Sequence, residues 1–142
     1  MAGAIRYLSV ADVLALHIAV MERLGYQPAP LRDLGLLESA LRRAEMAAHY
    51  EQADLVRQAT LLAAGIAQNQ PYVDGNKRTA YIVCMRFLES NGFRLTADPV
   101  ALADQLVKLA ERQDRLEVAT ARFEGWLRAN TAVARPEPGS PI

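Results

Sequence analysis

The stretch Gln68 to Ala80, QNQPYVDGNKRTA, gathers the residue types most able to do chemistry in this chain. Pro71 must break any preceding helix, Asp74-Gly75-Asn76 has the composition of a tight turn, and Lys77 and Arg78 open the next apolar run. A turn that feeds a helix N-terminus presents backbone N–H groups without intrahelical partners at the positive end of the helix dipole, which suits an anion. Gly75 would let a phosphate approach the backbone, and Asn76 would add a side-chain donor. Arg78 can grip phosphate oxygens through paired bonds, while Lys77 supplies a mobile point charge. Asp74 would repel such a ligand unless a divalent cation lay between them, and Mg²⁺ commonly joins one carboxylate to phosphate oxygens. The expected ligand is therefore a Mg²⁺-bound nucleotide. The bland alternative is an ordinary loop followed by a solvated helix start.

The elements that position this stretch read as helices almost throughout. Ser9 and Asp12 have the spacing of a capping box, and Val10, Val13, Leu14, His17, Met21 and Leu24 form one apolar face that stops at Gly25. His17 on that face reads as a hydrogen-bonded core histidine. The prolines of GYQPAPL mark a loop, after which Asp33 is placed to cap a second helix with Leu36, Leu37, Ala40, Leu41 and Ala44 inward. A third helix over about 53–68 delivers the chain to the quoted stretch. The segment from Lys77 to Ser90 is apolar on nearly every side between Ala80 and Leu88, which predicts the central helix of the domain. Asp98 and Pro99 begin a further helix, and Leu116, Ala119, Phe123, Trp126 and Leu127 mark the last. The expected fold is one compact all-α domain of about six helices over residues 1–130, followed by a disordered tail over 131–142.

At 142 residues one domain suffices, and 16 basic against 16 acidic residues leave no net charge to draw the chain onto nucleic acid or an anionic membrane. The single Cys84 allows no internal disulfide, and no secretory signal or membrane-spanning run is visible. A cytoplasmic protein is expected. Cys84 reads as an inert buried thiol, and no paired Cys or His has metal-ligand spacing.

The ordered string PYVDGNKR closely resembles the signature H-P-F-x-D-G-N-K-R of the Fic/Doc family in its death-on-curing branch. LALH at 14–17, RDLGLLESAL at 32–41 and FLESNGFRL at 87–95 look like the same branch. The resemblance implies a Fic-type helical fold, with room for a short β-hairpin flap near Arg32 and Asp33 that docks the target segment; a helix cap or ion pair is the simpler reading of both residues. It implies ATP as co-substrate, Mg²⁺ at Asp74, and transfer of part of the nucleotide to a protein hydroxyl. Most of the family moves AMP, whereas the death-on-curing branch resembles toxins that phosphorylate elongation factor Tu. Lys77 stands where AMP-transferring members usually carry Gly, and Tyr81 where they carry a second Arg, so the phosphorylating branch is the closer match. Asn76, Lys77 and Arg78 would then be catalytic as well as nucleotide-binding. The resemblance also implies a cognate Phd-like antitoxin acting in trans, because no inhibitory S/T-x-x-x-E-G/N helix is evident. No direct contact with nucleic acid or membrane is implied.

Gln70 falls on the family's general-base histidine. A carboxamide accepts a hydrogen bond but not a proton. Three readings stay open: a degenerate member that binds without chemistry, an inactivated toxin, or catalysis through another base. For the last, His49 is the one histidine besides His17, and a surface loop is its simpler placement. Tyr72 for the motif's Phe is a mild change that keeps a hydrophobic anchor.

Overall fold

The computed structural model describes residues 4–134. Among them six helices form in chain order: α1 (Val10–Arg23), α2 (Leu34–Tyr50), α3 (Leu55–Asn69), α4 (Asn76–Ser90), α5 (Pro99–Ala110) and α6 (Leu116–Ala129). The starts follow local chemistry. Ser9 and Asp12 close the capping box of α1, Asp33 accepts from the Leu36 N–H of α2, Asp54 from that of Arg57 in α3, and Asp98 from that of Val100 in α5. Each cap satisfies an N–H that would otherwise have no partner in the fold.

The helix at the centre is α3 rather than α4. Its residues from Gln58 to Ala67 are buried without a break, whereas α4 leaves Arg86 exposed and Tyr81, Ile82 and Met85 half-buried. The reason is size: Ala59, Ala63, Ala64, Gly65 and Ala67 let α2, α4, α5 and α6 pack closely around one axis. Long apolar side chains made α4 look more central in the sequence than it is. The tightest approach is at Gly65, where an added Cβ would lie 2.9 Å from Ala40 Cβ and 3.2 Å from Ala40 Cα. Gly65→Ala must push α2 off α3, and we expect a net loss of about 1 to 2 kcal/mol after the gain in helix propensity, read as a lower urea midpoint.

The helix pair α2 and α3 runs antiparallel, since the Asn69 side chain at the end of α3 donates to the Leu36 carbonyl near the start of α2 (3.0 Å). His49, on the exposed last turn of α2 rather than in a loop, therefore sits at the opposite end of the pair from Gln70, roughly 20 Å away by helix rise. It cannot serve as a base there.

The chain after Asn130 corrects the expectation of a disordered tail from 131. Thr131–Val133 forms β2, antiparallel to β1 (Phe93–Leu95), in the register Phe93 to Val133 and Leu95 to Thr131. The pairing is closed by the Thr96 N–H to the Asn130 carbonyl and by the Ala134 N–H to the Gly92 carbonyl. Backbone pairing with a strand remote in sequence carries no local signal, so the prolines farther on dominated the reading. The rest of the expected tail, 135–142, lies outside the described residues. This small antiparallel pair is the β element of the fold, while the region of Arg32 carries a single bridge between Leu31 and Tyr72. None of the described helices is long and apolar enough to cross a membrane.

Candidate functional site

The motif loop is built from the end of α3 to the start of α4. Gln70 caps α3 in the left-handed region (φ 50°, ψ 61°), donating its N–H to the Ile66 carbonyl at 3.1 Å. Pro71 and Tyr72 turn inward and are buried, and Val73 and Asp74 turn out to solvent. Gly75, at φ 80°, is the N-cap of α4 and has no side chain with which to cap it. Four of the other helices start under a Ser or Asp side chain, but the first N–H groups of α4 have no such partner. Lys77 and Arg78, two cations, occupy this turn with no acidic residue among them, opposite to what the helix dipole favours. A local arrangement that costs stability in the isolated chain is one that an anion would repay.

The site residues expected from sequence lie together on this loop and helix start, but several do other work than expected. The Asn76 carboxamide is clamped to the loop, its Oδ1 accepting from the Tyr72 N–H (2.9 Å) and its Nδ2 donating to the Tyr72 carbonyl (2.9 Å). It shapes the turn, and its Nδ2 keeps a second N–H beyond the one given to Tyr72. Gly75 is needed for conformation and packing, because a Cβ there would meet Met21 Sδ at 2.7 Å and His17 Cε1 at 3.4 Å. Lys77 leans away to Glu111 (3.4 Å), an exposed pair worth little. Arg78 is half-buried with its guanidinium 4.1 Å from the centre of the Tyr26 ring, and it has no carboxylate partner among the described residues. Asp74 is exposed and spends one oxygen on the Gly75 N–H (2.8 Å). Gln70 has an exposed side chain and no side-chain hydrogen bond among the described residues.

Beneath the loop lies a buried stack that sequence reading did not connect to it. The His17 and Tyr72 rings are parallel within 9° at a centroid distance of 3.7 Å. The Thr79 hydroxyl donates to the Gly75 carbonyl (2.8 Å) and therefore accepts from His17 Nδ1–H (2.7 Å), leaving Nε2 to accept from the Ala29 N–H (3.1 Å). With the Ala29 carbonyl also 3.2 Å from Nε2, both ring nitrogens are hydrogen-bonded, as the core reading of His17 expects. Burial holds its pKa below the ordinary value, against smaller upward pulls from the Ala29 backbone and Asp74. A His that resists its proton in the fold but takes it in the unfolded chain stabilises the fold fully only above the unfolded value of 6.5. We expect stability to fall as pH drops below 6.5, by at most about 1.4 kcal/mol per unit from this group, and His17→Asn to flatten that dependence in urea titrations between pH 7.5 and 5. The Tyr72 hydroxyl is buried without a hydrogen-bond partner, and burial pushes its pKa to about 12. Cys84 is fully buried and its thiol is likewise pushed up to about 12, which makes it inert.

Arg32 and Asp33, singled out as cap or ion pair, are both caps. Asp33 starts α2, and Arg32 reaches across to the C-terminal carbonyls of α3. A shallow, open surface depression lined by Lys108, Glu111, Arg112 and Arg122 adjoins Lys77 through Glu111. Arg112 bonds Gln68 (2.7 Å) and keeps a buried Nε without a partner.

Taken together, the molecule is a helical domain in which the loop between α3 and α4 carries the exposed Asp74 and leads into a helix start with two cations and no side-chain cap. Residues 7–88, which hold α1 to α3, the whole loop and all but the last two residues of α4, match the Fic/DOC family, and the chain belongs to it. It is 36% identical over 103 residues to Toxin Doc of Mycolicibacterium smegmatis, a match that covers 70% of this chain and 79% of that protein.

Proposed function

We propose that the chain is a Doc-like toxin component of a cytoplasmic toxin–antitoxin pair that transfers a phosphoryl group from ATP to a hydroxyl of a target protein such as elongation factor Tu. Gln70 slows that transfer. The observation that carries the reading is the uncapped start of α4, where Arg78 has no carboxylate partner among the described residues and Asp74 is exposed one turn away. Similarity to Toxin Doc supports the toxin class, and Lys77 and Tyr81 support phosphoryl over AMP transfer.

The residues present fit Mg²⁺ with ATP. Asp74 keeps one carboxylate oxygen free, and no cluster of three or more His, Cys, Asp or Glu able to hold a metal occurs among the described residues. A one-carboxylate site is what Mg²⁺ uses when phosphate oxygens and waters complete its shell. Asp74 would hold Mg²⁺, which when bound with ATP would offset the charge of the phosphates. The first N–H groups of α4 and the Arg78 guanidinium hold the phosphates, Tyr26 fixes the guanidinium plane, and Lys77 is released from its weak pair with Glu111 to join them. Asn76 keeps the turn shaped for this contact through Tyr72. The target oxygen attacks the γ-phosphorus as the bond to ADP breaks, and its proton must leave to water because Gln70 cannot take it. A cognate antitoxin covering the loop in trans would block nucleotide entry.

Gln70 itself favours one second reading, a non-catalytic module that binds nucleotide and antitoxin only. Incubation with Mg²⁺ and ATP labelled separately at the α and γ phosphates, with elongation factor Tu, tests both. Slow γ-label transfer supports the toxin kinase, α-label transfer points to AMP transfer, and binding without transfer supports the module.

A further inference from the structure

Gln70 holds a left-handed backbone conformation (φ 50°) that residues other than glycine rarely adopt, at the position from which a catalytic side chain would act. Something in the fold must hold it. The Arg32 guanidinium donates from Nε to the Gln70 carbonyl (3.0 Å) and from Nη2 to the carbonyls of Gln70 (2.6 Å) and Asn69 (2.9 Å). These are the carbonyls that α3 leaves unpaired at its negative end, so a planar, permanently charged fork matches them in geometry and sign. The backbone on either side completes the attachment: the N–H groups of Arg32 and Asp33 donate to the Pro71 carbonyl (2.6 and 3.1 Å), and that of Val73 to the Pro30 carbonyl (3.0 Å).

We infer that Arg32 is a positioning residue for the loop, a latch from the α1–α2 connection that holds position 70 in its left-handed conformation and so sets where that side chain is presented. Its guanidinium is committed to carbonyl oxygens. Arg32 therefore controls the geometry of position 70, while Arg78 controls the grip on the ligand. The two roles separate in experiment.

Amide hydrogen exchange of the nucleotide-free full chain tests the latch directly, without reliance on the proposed activity. With Arg32→Ala, the amides of Asp33 and Val73 are expected to exchange about tenfold faster while the interior of α3 is unchanged. Arg32→Lys should fall between, because an ammonium lacks the fork that spans both carbonyls. Adding Gln70→Gly to Arg32→Ala should recover most of the protection, because glycine takes the left-handed conformation at no steric cost. Unchanged exchange in Arg32→Ala, a rise spread evenly through α3, or no recovery with Gln70→Gly would each overturn the latch. A second arm rests on the proposed function: in a Gln70→His background, Arg32→Ala should lower kcat about tenfold and leave KM for ATP unchanged. A change in KM alone would assign Arg32 to nucleotide binding instead. If the Gln70→His protein shows no transfer at all, the exchange arm still decides.

Discussion

Gln70→His is expected to raise γ-phosphoryl transfer by about 10² to 10⁴-fold, the usual contribution of a positioned general base, with little change in nucleotide affinity. A neutral imidazole accepts a proton near pH 7, and the Gln70 side chain it would replace is exposed and unengaged among the described residues, so no existing contact is lost. The backbone of position 70 is held through its own carbonyl, which accepts from the Arg32 guanidinium, and its own N–H, which donates to the Ile66 carbonyl, and neither bond depends on its side chain. The new ring should therefore be presented from the same place. Single-turnover transfer with γ-labelled ATP reads the gain, and calorimetry reads the affinity. Equal rates for both proteins would mean that a group other than residue 70 takes the proton or that no transfer occurs.

Arg78→Ala should weaken binding of Mg²⁺–ATP by roughly 10- to 150-fold, the range for losing hydrogen bonds to a charged group. This side chain is the cation at the start of α4 that lacks a carboxylate partner among the described residues, and its half-buried stack on Tyr26 limits the entropy lost on binding. The fold should not suffer, because a cation at a helix N-terminus opposes the dipole; the thermal midpoint is expected to hold or rise slightly. Lys77→Ala should have a smaller effect on affinity, since Lys77 must first leave Glu111. If the two losses were equal, the division of labour drawn here between gripping guanidinium and mobile ammonium would be wrong.

The helices were legible because their signals are local. Ser9 with Asp12, Asp33, and Asp98 before Pro99 each announce a start within a few residues, and the structure uses each as a cap. The loop motif was legible for the same reason, as eight consecutive residues. What stayed hidden depends on contacts between distant parts of the chain. The partner of Thr131–Val133 is Phe93–Leu95, the carbonyls capped by Arg32 belong to Asn69 and Gln70, and the space denied to a Gly75 side chain is filled by Met21. The type of Asn76 suits an anion donor, but type cannot tell that both ends of the amide also bond to Tyr72 and so shape the turn. The centrality of α3 was missed because small residues bury little area each, although they permit the closest packing.

The central claim is that the start of α4 binds a Mg²⁺–nucleotide even though position 70 lacks a base. Calorimetric titration of the unaltered chain with ATP in the presence of Mg²⁺ tests it most directly. Saturable one-to-one binding is expected, weaker when Mg²⁺ is removed and at least tenfold weaker in Arg78→Ala. Absence of binding by the folded protein, or binding indifferent to both Mg²⁺ and Arg78, would contradict it.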